Sequence, residues 1–286
     1  MKVTFWGVRG SIPTSGKDTT EYGGHTSCVA VVPGDDSPPL VFDLGTGARP
    51  LGRSLLKMGV ETVHVLLSHT HMDHIFALPY FEPIFSPSCR VHVGVPAGSD
   101  GEARARIGKY LNGIFHPLRL DDLGPRLRFH GVPGGKTFNV GPYRVKTLRL
   151  VHPGGTIGYR VDYGGCTACY LTDTGPLARP NEGVIVGEEP TAMESELIEL
   201  VHDADLLVMD TTFDEAEYFA KMHWGHAFPE YAAKIAGLAN VKKLALFHHS
   251  PDAVDSDLDA LAARWERHTA PEVVVAKEGL VVDLEG

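Results

Sequence analysis

Short apolar runs bounded by glycine, proline or aspartate recur along the chain and predict β-strands. The predicted strands cover residues 2–8, 27–32, 40–44, 63–68, 90–95, 144–150, 156–163, 168–172, 205–210, 243–247 and 272–275. Amphipathic patterns predict helices over residues 48–58, 102–112, 192–202, 229–238 and 253–267. Strands and helices mixed in this order are typical of an α/β fold with layered sheets covered by helices.

The chain shows no composition shift, low-complexity tract or internal repeat that would divide it, so one domain over residues 1–286 is expected. The Gly-rich segments 9–24 and 176–190 are expected to be loops over a site. No apolar run approaches the roughly 20 residues that cross a bilayer, and MKVTFWGVRG lacks the apolar segment of a signal peptide. These patterns predict a cytoplasmic protein without a membrane partner.

The formal net charge of −10 argues against long polyanionic substrates. A long polyanion is repelled by such a chain unless a basic groove compensates, and no segment is dense in lysine or arginine. We therefore expect a small-molecule substrate and see no strong sign of long nucleic acid. Arg9 or Lys17, in the first Gly-rich loop, is a candidate contact for a phosphate, although exposed loop charges are usually solvated.

The four cysteines are scattered and do not indicate a disulfide framework. Cys166 and Cys169 form a CxxC spacing, which is able to bind zinc or do redox chemistry. However, YRVDYGGCTACYLTD is typical of two strands joined by a tight Gly-Gly turn, so ordinary strand cysteines are the favoured interpretation.

Histidine is unusually frequent, with 15 residues, and three of them cluster in SHTHMDH directly after an apolar strand. His69 and His71 are two apart and can share one side of an extended turn. Asp73 and His74 follow at the start of a helical segment and can point to a neighbouring position. Two pairs of nitrogen and oxygen ligands suit two borderline divalent cations, so the segment predicts a metal site.

Four residues cannot complete two metal sites, so further ligands are expected at other strand ends. His152 follows VKTLRLV, Asp173 follows ACYLT, and His248 follows KLALF. Each lies where a strand gives way to a turn. His249 competes with His248, because adjacent strand residues point to opposite faces.

HTHMDH matches the HxHxDH motif of the metallo-β-lactamase fold family, and four more segments resemble that family's motifs in order. These segments are VFDLGTG, RLVHPGG, YLTDTG and LFHHSP. The resemblance implies a four-layer αββα sandwich with a dinuclear site. It assigns His69, His71 and His152 to one metal, and Asp73, His74 and His248 to the other, with Asp173 bridging. It also makes Asp43 a residue that orients ligands.

The resemblance narrows to one branch of the family. FWGVRGSIP followed by YGGHTSCV is similar to the N-terminal pattern of RNase Z-like enzymes and cyclic phosphodiesterases, and WGHAFPEYAAKIA resembles a histidine-containing segment of the same branch. Asp73 and His226 are the expected catalytic residues, with His226 as general acid. Three further histidines are candidates around the pocket: His25 and His116 as lining residues, and His223 as a support for His226.

The expected function is a dinuclear metal-dependent hydrolase that attacks small phosphodiesters or cyclic nucleotides through a metal-bridging hydroxide. Zinc is the expected ion, with manganese or iron as alternatives. A lactone or thioester hydrolase with the same metal site, which does not need His226, is the alternative function, and a metal-stabilised binding protein without catalysis is a third. The sequence shows no obvious long Gly- and Lys-rich arm of the kind that RNase Z enzymes use to grip tRNA, and with the acidic charge this argues against tRNA 3′-end maturation. Relatives suggest a homodimer.

Overall fold

Two β-sheets pack face to face in the computed structural model, which describes residues 1–124, 126–176, 190–268 and 270–285. Within these residues each sheet has seven strands. The first sheet contains β1 (Lys2–Gly7), β2 (Cys28–Val32), β3 (Leu40–Phe42), β4 (Thr62–Leu66), β5 (Arg90–Pro96), β6 (Leu127–Val132) and β14 (Val281–Asp283). The strand order is β14-β1-β2-β3-β4-β5-β6, and β3 to β6 are parallel.

The second sheet repeats this mixed design. It contains β7 (Thr137–Val140), β8 (Tyr143–Arg149), β9 (Ile157–Tyr163), β10 (Cys166–Leu171), β11 (Leu206–Asp210), β12 (Lys243–Phe247) and β13 (Glu272–Val275). The strand order is β13-β12-β11-β10-β9-β8-β7. Strands β10 to β13 are parallel to one another, whereas β7 to β10 form antiparallel pairs.

Helices cover the outer faces of both sheets. They are α1 (Ala48–Lys57), α2 (Met72–Ile75), α3 (Asp100–Tyr110), α4 (Ala192–Val201), α5 (Glu215–Lys221), α6 (Pro229–Leu238) and α7 (Asp255–Trp265), with short 3₁₀ helices at Lys17–Thr19, Leu78–Tyr80, Glu82–Phe85, Leu120–Asp122 and Met222–Trp224. Helices α1 and α3 pack on the first sheet, and α4, α6 and α7 pack on the second. The predicted αββα sandwich is confirmed. No helix of the described residues is long and apolar enough to cross a membrane.

The inner faces of the two sheets form an aromatic layer. Phe42 on β3 stacks on Tyr170 of β10, with ring centroids 4.8 Å apart, and its centroid lies 5.9 Å from that of Tyr159 on β9. Alternation along β3 explains this placement, because Leu40 and Phe42 point inward while Val41 points to the helices. Burial of these rings joins the two sheets directly beneath the ends of their strands.

The four cysteines are free and buried. Gly164 and Gly165, with φ of 58° and 81°, make the tight turn between β9 and β10 that the sequence predicts. Cys166 packs between the sheets, whereas Cys169 packs against the helices on the opposite face of β10. The two thiols therefore do not converge on a metal or form a redox pair.

Sequence patterns miss three strands and one helix. In strand β6 the polar residues Arg128 and His130 each follow a buried residue, Leu127 and Phe129, and polar residues likewise interrupt β7. Strand β14 has only three residues, and α5 only seven. Most of the predicted loop 176–190 lies outside the described residues, and the expectation of one domain stays a prediction.

We expect Phe42→Ala to lower the free energy of unfolding by about 3–5 kcal/mol, because it opens a cavity between the sheets. Urea denaturation with a chelator present measures this without a contribution from metal binding. Phe219→Ala, which truncates a half-exposed ring on α5, is the matched control and should change stability by less than about 0.5 kcal/mol. Equal losses for the two variants would contradict the proposed role of the aromatic layer.

Candidate metal centre

The predicted ligands all lie where strands end. Strand β4 leads into His69 and His71, and the short helix α2 that follows carries Asp73 and His74. The other ligands come from the second sheet. His152 follows β8, Asp173 follows β10, and His248 follows β12. The carboxyl ends of parallel strands are a common location for ligand sites, and here the two sheets bring their strand ends to one edge of the sandwich.

The backbone is unusual after three strands that end at this edge, β3, β10 and β12. Asp43, Asp173 and His248 have φ of 60°, 49° and 63°, in the left-handed region that residues other than glycine rarely adopt. Each left-handed residue turns the chain sharply after a buried strand and directs its side chain across the edge. Strained conformations of this kind are concentrated at functional sites.

One group of side chains consists of His69, His71, His152 and Asp173. His152 Nε2 lies 3.1 Å from His71 Nδ1 and 3.4 Å from Asp173 Oδ2. His69 Nε2 lies 3.7 Å from the same carboxylate oxygen. His71 is the exposed member of the group, so this group faces solvent.

A second group consists of Asp73, His74, His248 and again Asp173. His74 Nε2 and His248 Nε2 each lie 3.0 Å from Asp173 Oδ1. The same two nitrogens lie 3.2 and 3.4 Å from Asp73 Oδ2. All four residues are buried. Asp173 thus presents one oxygen to each group.

Three imidazole nitrogens at the centre have no hydrogen bond to any described residue. They are the buried Nε2 atoms of His69, His74 and His248. A buried polar atom without a partner is costly, and it indicates a missing ligand when several such atoms converge. Nitrogen and carboxylate donors in this number suit divalent ions. The residues therefore fit divalent metal binding, as the sequence predicts.

Supporting contacts orient these imidazoles from behind. Asp43 Oδ2 lies 2.7 Å from His74 Nδ1 and accepts hydrogen bonds from the Ser68 and Tyr170 hydroxyls, while Oδ1 accepts from the Ser68 amide. Because Nδ1 is occupied by the carboxylate, His74 is held with Nε2 towards the centre. The structure places Asp43 where the family resemblance predicts it, beneath the ligands.

Two more ligands are oriented in the same way. His152 Nδ1 lies 3.0 Å from the Gly225 carbonyl oxygen, and His248 Nδ1 lies 2.9 Å from the Thr212 hydroxyl. In each case the ring nitrogen that faces away from the centre is engaged, which leaves Nε2 for a ligand.

The charges of the site are strongly coupled. Burial alone raises the pKa of Asp173, but the imidazoles of His248 and His74 outweigh burial and hold this pKa well below its usual range. Burial lowers the pKa of His248, and the carboxylates of Asp173 and Asp73 more than offset it, raising the pKa to about 10. Protons and metal ions therefore compete for the same nitrogens.

His226 lies beside the metal ligands in a third cluster with Asp210 and His248. Its Nδ1 is 2.7 Å from Asp210 Oδ2, and its ring centroid is 5.1 Å from that of His152. Burial lowers the pKa of His226, but the Asp210 carboxylate outweighs burial and raises it. Asp210 in turn accepts hydrogen bonds from the Thr212 amide and hydroxyl.

Asp210 is the residue of this cluster that sequence reasoning missed. It ends the fully buried strand β11, LLVMD, in the same setting as the predicted ligands. The available signal is an acidic residue at the carboxyl end of an apolar strand, and Asp210 belongs to none of the metal-ligand motifs.

The structure distinguishes His248 from its neighbour. His249 points away from the centre, with Nε2 2.7 Å from the Ala276 carbonyl oxygen, where it donates a hydrogen bond. Burial lowers the pKa of His249 to about 4, so this ring is neutral. His248 is therefore the residue that the geometry offers as a ligand.

The first Gly-rich loop packs on the site through its backbone. The Ser11 amide donates a 2.8 Å hydrogen bond to Asp73 Oδ2, and a Cβ at Gly10 would clash with the His248 ring. Arg9 is fully buried and donates hydrogen bonds to the carbonyls of Gly23, Ser250 and Ala253. The hypothesis that Arg9 meets a phosphate is therefore wrong, because its guanidinium fixes the loop. Lys17 is exposed beside Asp18.

The remaining histidine candidates lie outside the metal cluster. His25 Nδ1 pairs with the Thr46 hydroxyl at 3.2 Å. His116 is buried and contacts the rings of Tyr80 and Tyr110 edge-on. His223 accepts a hydrogen bond from the indole of the neighbouring Trp224, and this contact does not involve His226.

Comparisons with known proteins show which family and fold this chain resembles. The family model described as "Beta-lactamase superfamily domain" matches residues 41–249. Ribonuclease Z of Haloarcula marismortui is 24% identical over 320 residues, covering 98% of this chain and 96% of the relative. The metallo-beta-lactamase fold protein YhfI from Bacillus subtilis has a TM-score of 0.71 at 20% identity, with 98% of each chain covered. Human tRNase Z, short form, has a TM-score of 0.64 at 20% identity and covers 100% of each chain.

These comparisons correct one expectation. The prediction of a small-molecule partner and no long nucleic acid is wrong, because relatives that match almost the whole chain are named ribonuclease Z and a neighbour in structure is named tRNase Z. The physical reason is that a net charge of −10 averages over the whole surface. A long nucleic acid contacts only part of a protein's surface, and the charge of that part depends on the residues and any cations located there, not on the net charge of the chain.

We expect Asp43→Asn to lower metal affinity about 10–100-fold, because the amide no longer holds His74 as the carboxylate does. Competition with a chromophoric chelator measures the affinity, and circular dichroism checks the fold. Asp35→Asn, which alters a surface carboxylate bonded to Tyr163, is the control and should leave the affinity unchanged. An Asp43→Asn protein with wild-type affinity would show that the carboxylate does not orient the ligand.

Proposed function

The chain belongs to the beta-lactamase superfamily and is a metal-dependent hydrolase, and from this premise we propose that it cleaves phosphodiester bonds in RNA. The predicted family is confirmed, and the ribonuclease Z relatives fit the branch that the N-terminal pattern indicated. The proposal of an RNA substrate draws on those relatives and replaces the small substrate expected from the net charge.

The observation that carries the proposal is the position of Asp173 between two groups of imidazoles, with one carboxylate oxygen 3.0 Å from nitrogens of the second group and the other 3.4 Å from His152 Nε2. This carboxylate would contribute one oxygen to each of two ions. The first ion would be held by His69, His71 and His152, and the second by Asp73, His74 and His248. The nitrogen-rich donor set favours zinc, with manganese and iron as alternatives.

Divalent ions in such a site act as Lewis acids on phosphate oxygens and lower the pKa of bound water. The chain supplies the geometry around that chemistry. His71 is exposed, whereas Asp73, His74 and His248 are buried, so the substrate approaches from the side of His71. Asp73 Oδ2 is held by the Ser11 amide, which leaves Oδ1 to accept a hydrogen bond from the attacking water.

His226 is proposed to protonate the leaving oxygen. Its Nδ1 is occupied by Asp210, so Nε2 is the nitrogen left to hold the proton that the substrate receives. The ring lies beside His152 and His248, with centroids 5.1 and 5.2 Å away, within reach of a phosphodiester held by both groups of ligands. A positioned general acid of this kind contributes about 10²–10⁴-fold to the rate.

The substrate class is tested with a hairpin RNA carrying a single-stranded 3′ extension, an acyl-homoserine lactone and a thioester. We expect metal-dependent cleavage of the RNA, and elemental analysis should find two ions per chain. Asp173→Asn should lose the carboxylate that would contact both ions, and with it the cleavage of the RNA. Asp203→Asn is the control, because Asp203 is also an aspartate with positive φ but is exposed. Turnover of the lactone or the thioester without RNA cleavage would contradict the proposal.

The role of His226 is tested by changing the leaving group. With RNA, His226→Ala should lower kcat about 10²–10⁴-fold, because the leaving alkoxide needs a proton. With thymidine 5′-p-nitrophenyl phosphate the loss should be far smaller, since p-nitrophenolate leaves without one. His223→Ala should leave both rates near wild type. Equal losses on the two substrates would mean that His226 acts in positioning and does not donate the proton.

A further inference from the structure

A groove of about 420 Å³ lies at the same edge of the sandwich as the metal ligands. Its walls are the end of β5 and the residues after it (96–98), the end of β6 and the residues after it (132–134), and residues 149–150 and 154–157 at the ends of the β8–β9 connection, with Glu102 and Arg106 from α3. Strands β4, β5 and β6 are adjacent and parallel, so the groove continues the line of strand ends on which His69 and His71 lie.

The groove opens directly onto the exposed side of the metal centre. Its wall includes Gly154, two residues after the ligand His152, and a Cβ at Gly154 would lie 3.2 Å from His71 Nε2. Gly154 also has φ of 88°, so a larger residue there would be strained as well as crowded. A polymer held at the metal centre therefore has an open path along this groove.

The groove contains a guanidinium that the fold does not use. Arg149 is exposed, and its side chain makes no hydrogen bond or ion pair with any residue that the structure describes. Arg106, in the same groove, differs, because its guanidinium donates two hydrogen bonds to Glu102 at 2.8 and 3.2 Å. Arg149 is thus the cation available to a ligand.

The stem of Arg149 is placed by a glycine. Gly134 lies directly under it, and a Cβ at that position would clash with Arg149 Cγ. The absence of a side chain at residue 134 lets the arginine lie across the groove. Arg149 lies three positions before the proposed metal ligand His152, a backbone span of at most about 11 Å, which is on the scale of one or two nucleotides.

We propose that Arg149 binds a backbone phosphate of the RNA next to the bond that is cleaved, an inference that rests on the proposed function. Arginine pairs with phosphate through two parallel hydrogen bonds, which suits this task on an acidic chain. The groove adjoins His71, whereas the proposed acid His226 adjoins His152 and His248. The bound phosphate therefore belongs to the product that retains the scissile phosphate. It does not belong to the product that carries the leaving oxygen.

The test uses RNA in which one linkage is replaced by an uncharged methylphosphonate, on either side of the cleaved bond. For natural RNA, Arg149→Ala should raise KM about tenfold or more, and Arg149→Lys should raise it less. The slope of log(kcat/KM) against log[salt] should become shallower by about 0.7, the value for one phosphate contact on a single strand. Thymidine 5′-p-nitrophenyl phosphate, which has no flanking phosphate, should be turned over as by the wild type.

The controls separate the groove from the general reaction. Arg144→Ala, which removes an exposed arginine at the far end of β8, should change none of these values. A methylphosphonate in the part of the RNA that retains the scissile phosphate should raise the KM of the wild type. It should also abolish the difference in KM between the wild type and Arg149→Ala. If that difference persists, or vanishes only when the other linkage is neutral, the assignment is wrong.

The two proposals fail in different ways. If the wild type cleaves no RNA, the proposed function fails, and the groove is then tested by fluorescence anisotropy with the same oligonucleotides. An Arg149-dependent difference in Kd between natural and methylphosphonate RNA would support the groove without cleavage. Equal Kd values for the two RNAs would overturn it.

Discussion

The buried carboxylate of Asp173, placed among four imidazoles, is the interaction on which the edge of the sandwich depends. A carboxylate moved out of water is unfavourable by several kcal/mol unless opposite charges and hydrogen-bond donors surround it. Among the described residues, the imidazoles around it come from segments that follow strands of both sheets, so the charge is satisfied only when the sheets are aligned. The aromatic layer below supplies that alignment through Phe42 and Tyr170.

Three imidazoles at this edge are each held by a hydrogen-bond partner at the Nδ1 atom. Asp43 engages His74, Asp210 engages His226, and Thr212 engages His248, in each case at the Nδ1 atom. Each partner lies at or just after the carboxyl end of a strand, so a rigid sheet sets the direction of every ring. The imidazoles are thereby fixed before any ion or substrate arrives, which is the condition for a site that does not reorganise during reaction.

Sequence reasoning predicted the sandwich and brought all seven candidate ligands to one edge, because clustered histidines after an apolar strand carry a local signal. It left His248 and His249 as alternatives, since the left-handed turn at His248 ends the strand alternation that would separate them. Asp210 escaped because its partner, His226, is 16 residues away and only the packing joins them. Strand β6 was missed because only three of its six positions, Leu127, Phe129 and Val132, are apolar and buried. The substrate class was predicted wrongly because net charge is a sum over the whole chain.

The left-handed residues at the strand ends carry a further consequence for how the protein persists in a cell. Each such conformation costs of order 1–3 kcal/mol in a residue other than glycine, and the centre holds three of them alongside closely spaced carboxylates. Ions that bind only the folded chain offset this cost by mass action. The abundance of the folded protein is thus coupled to the supply of metal. Starvation for that metal would expose the chain to proteolysis at the same time as it removed activity.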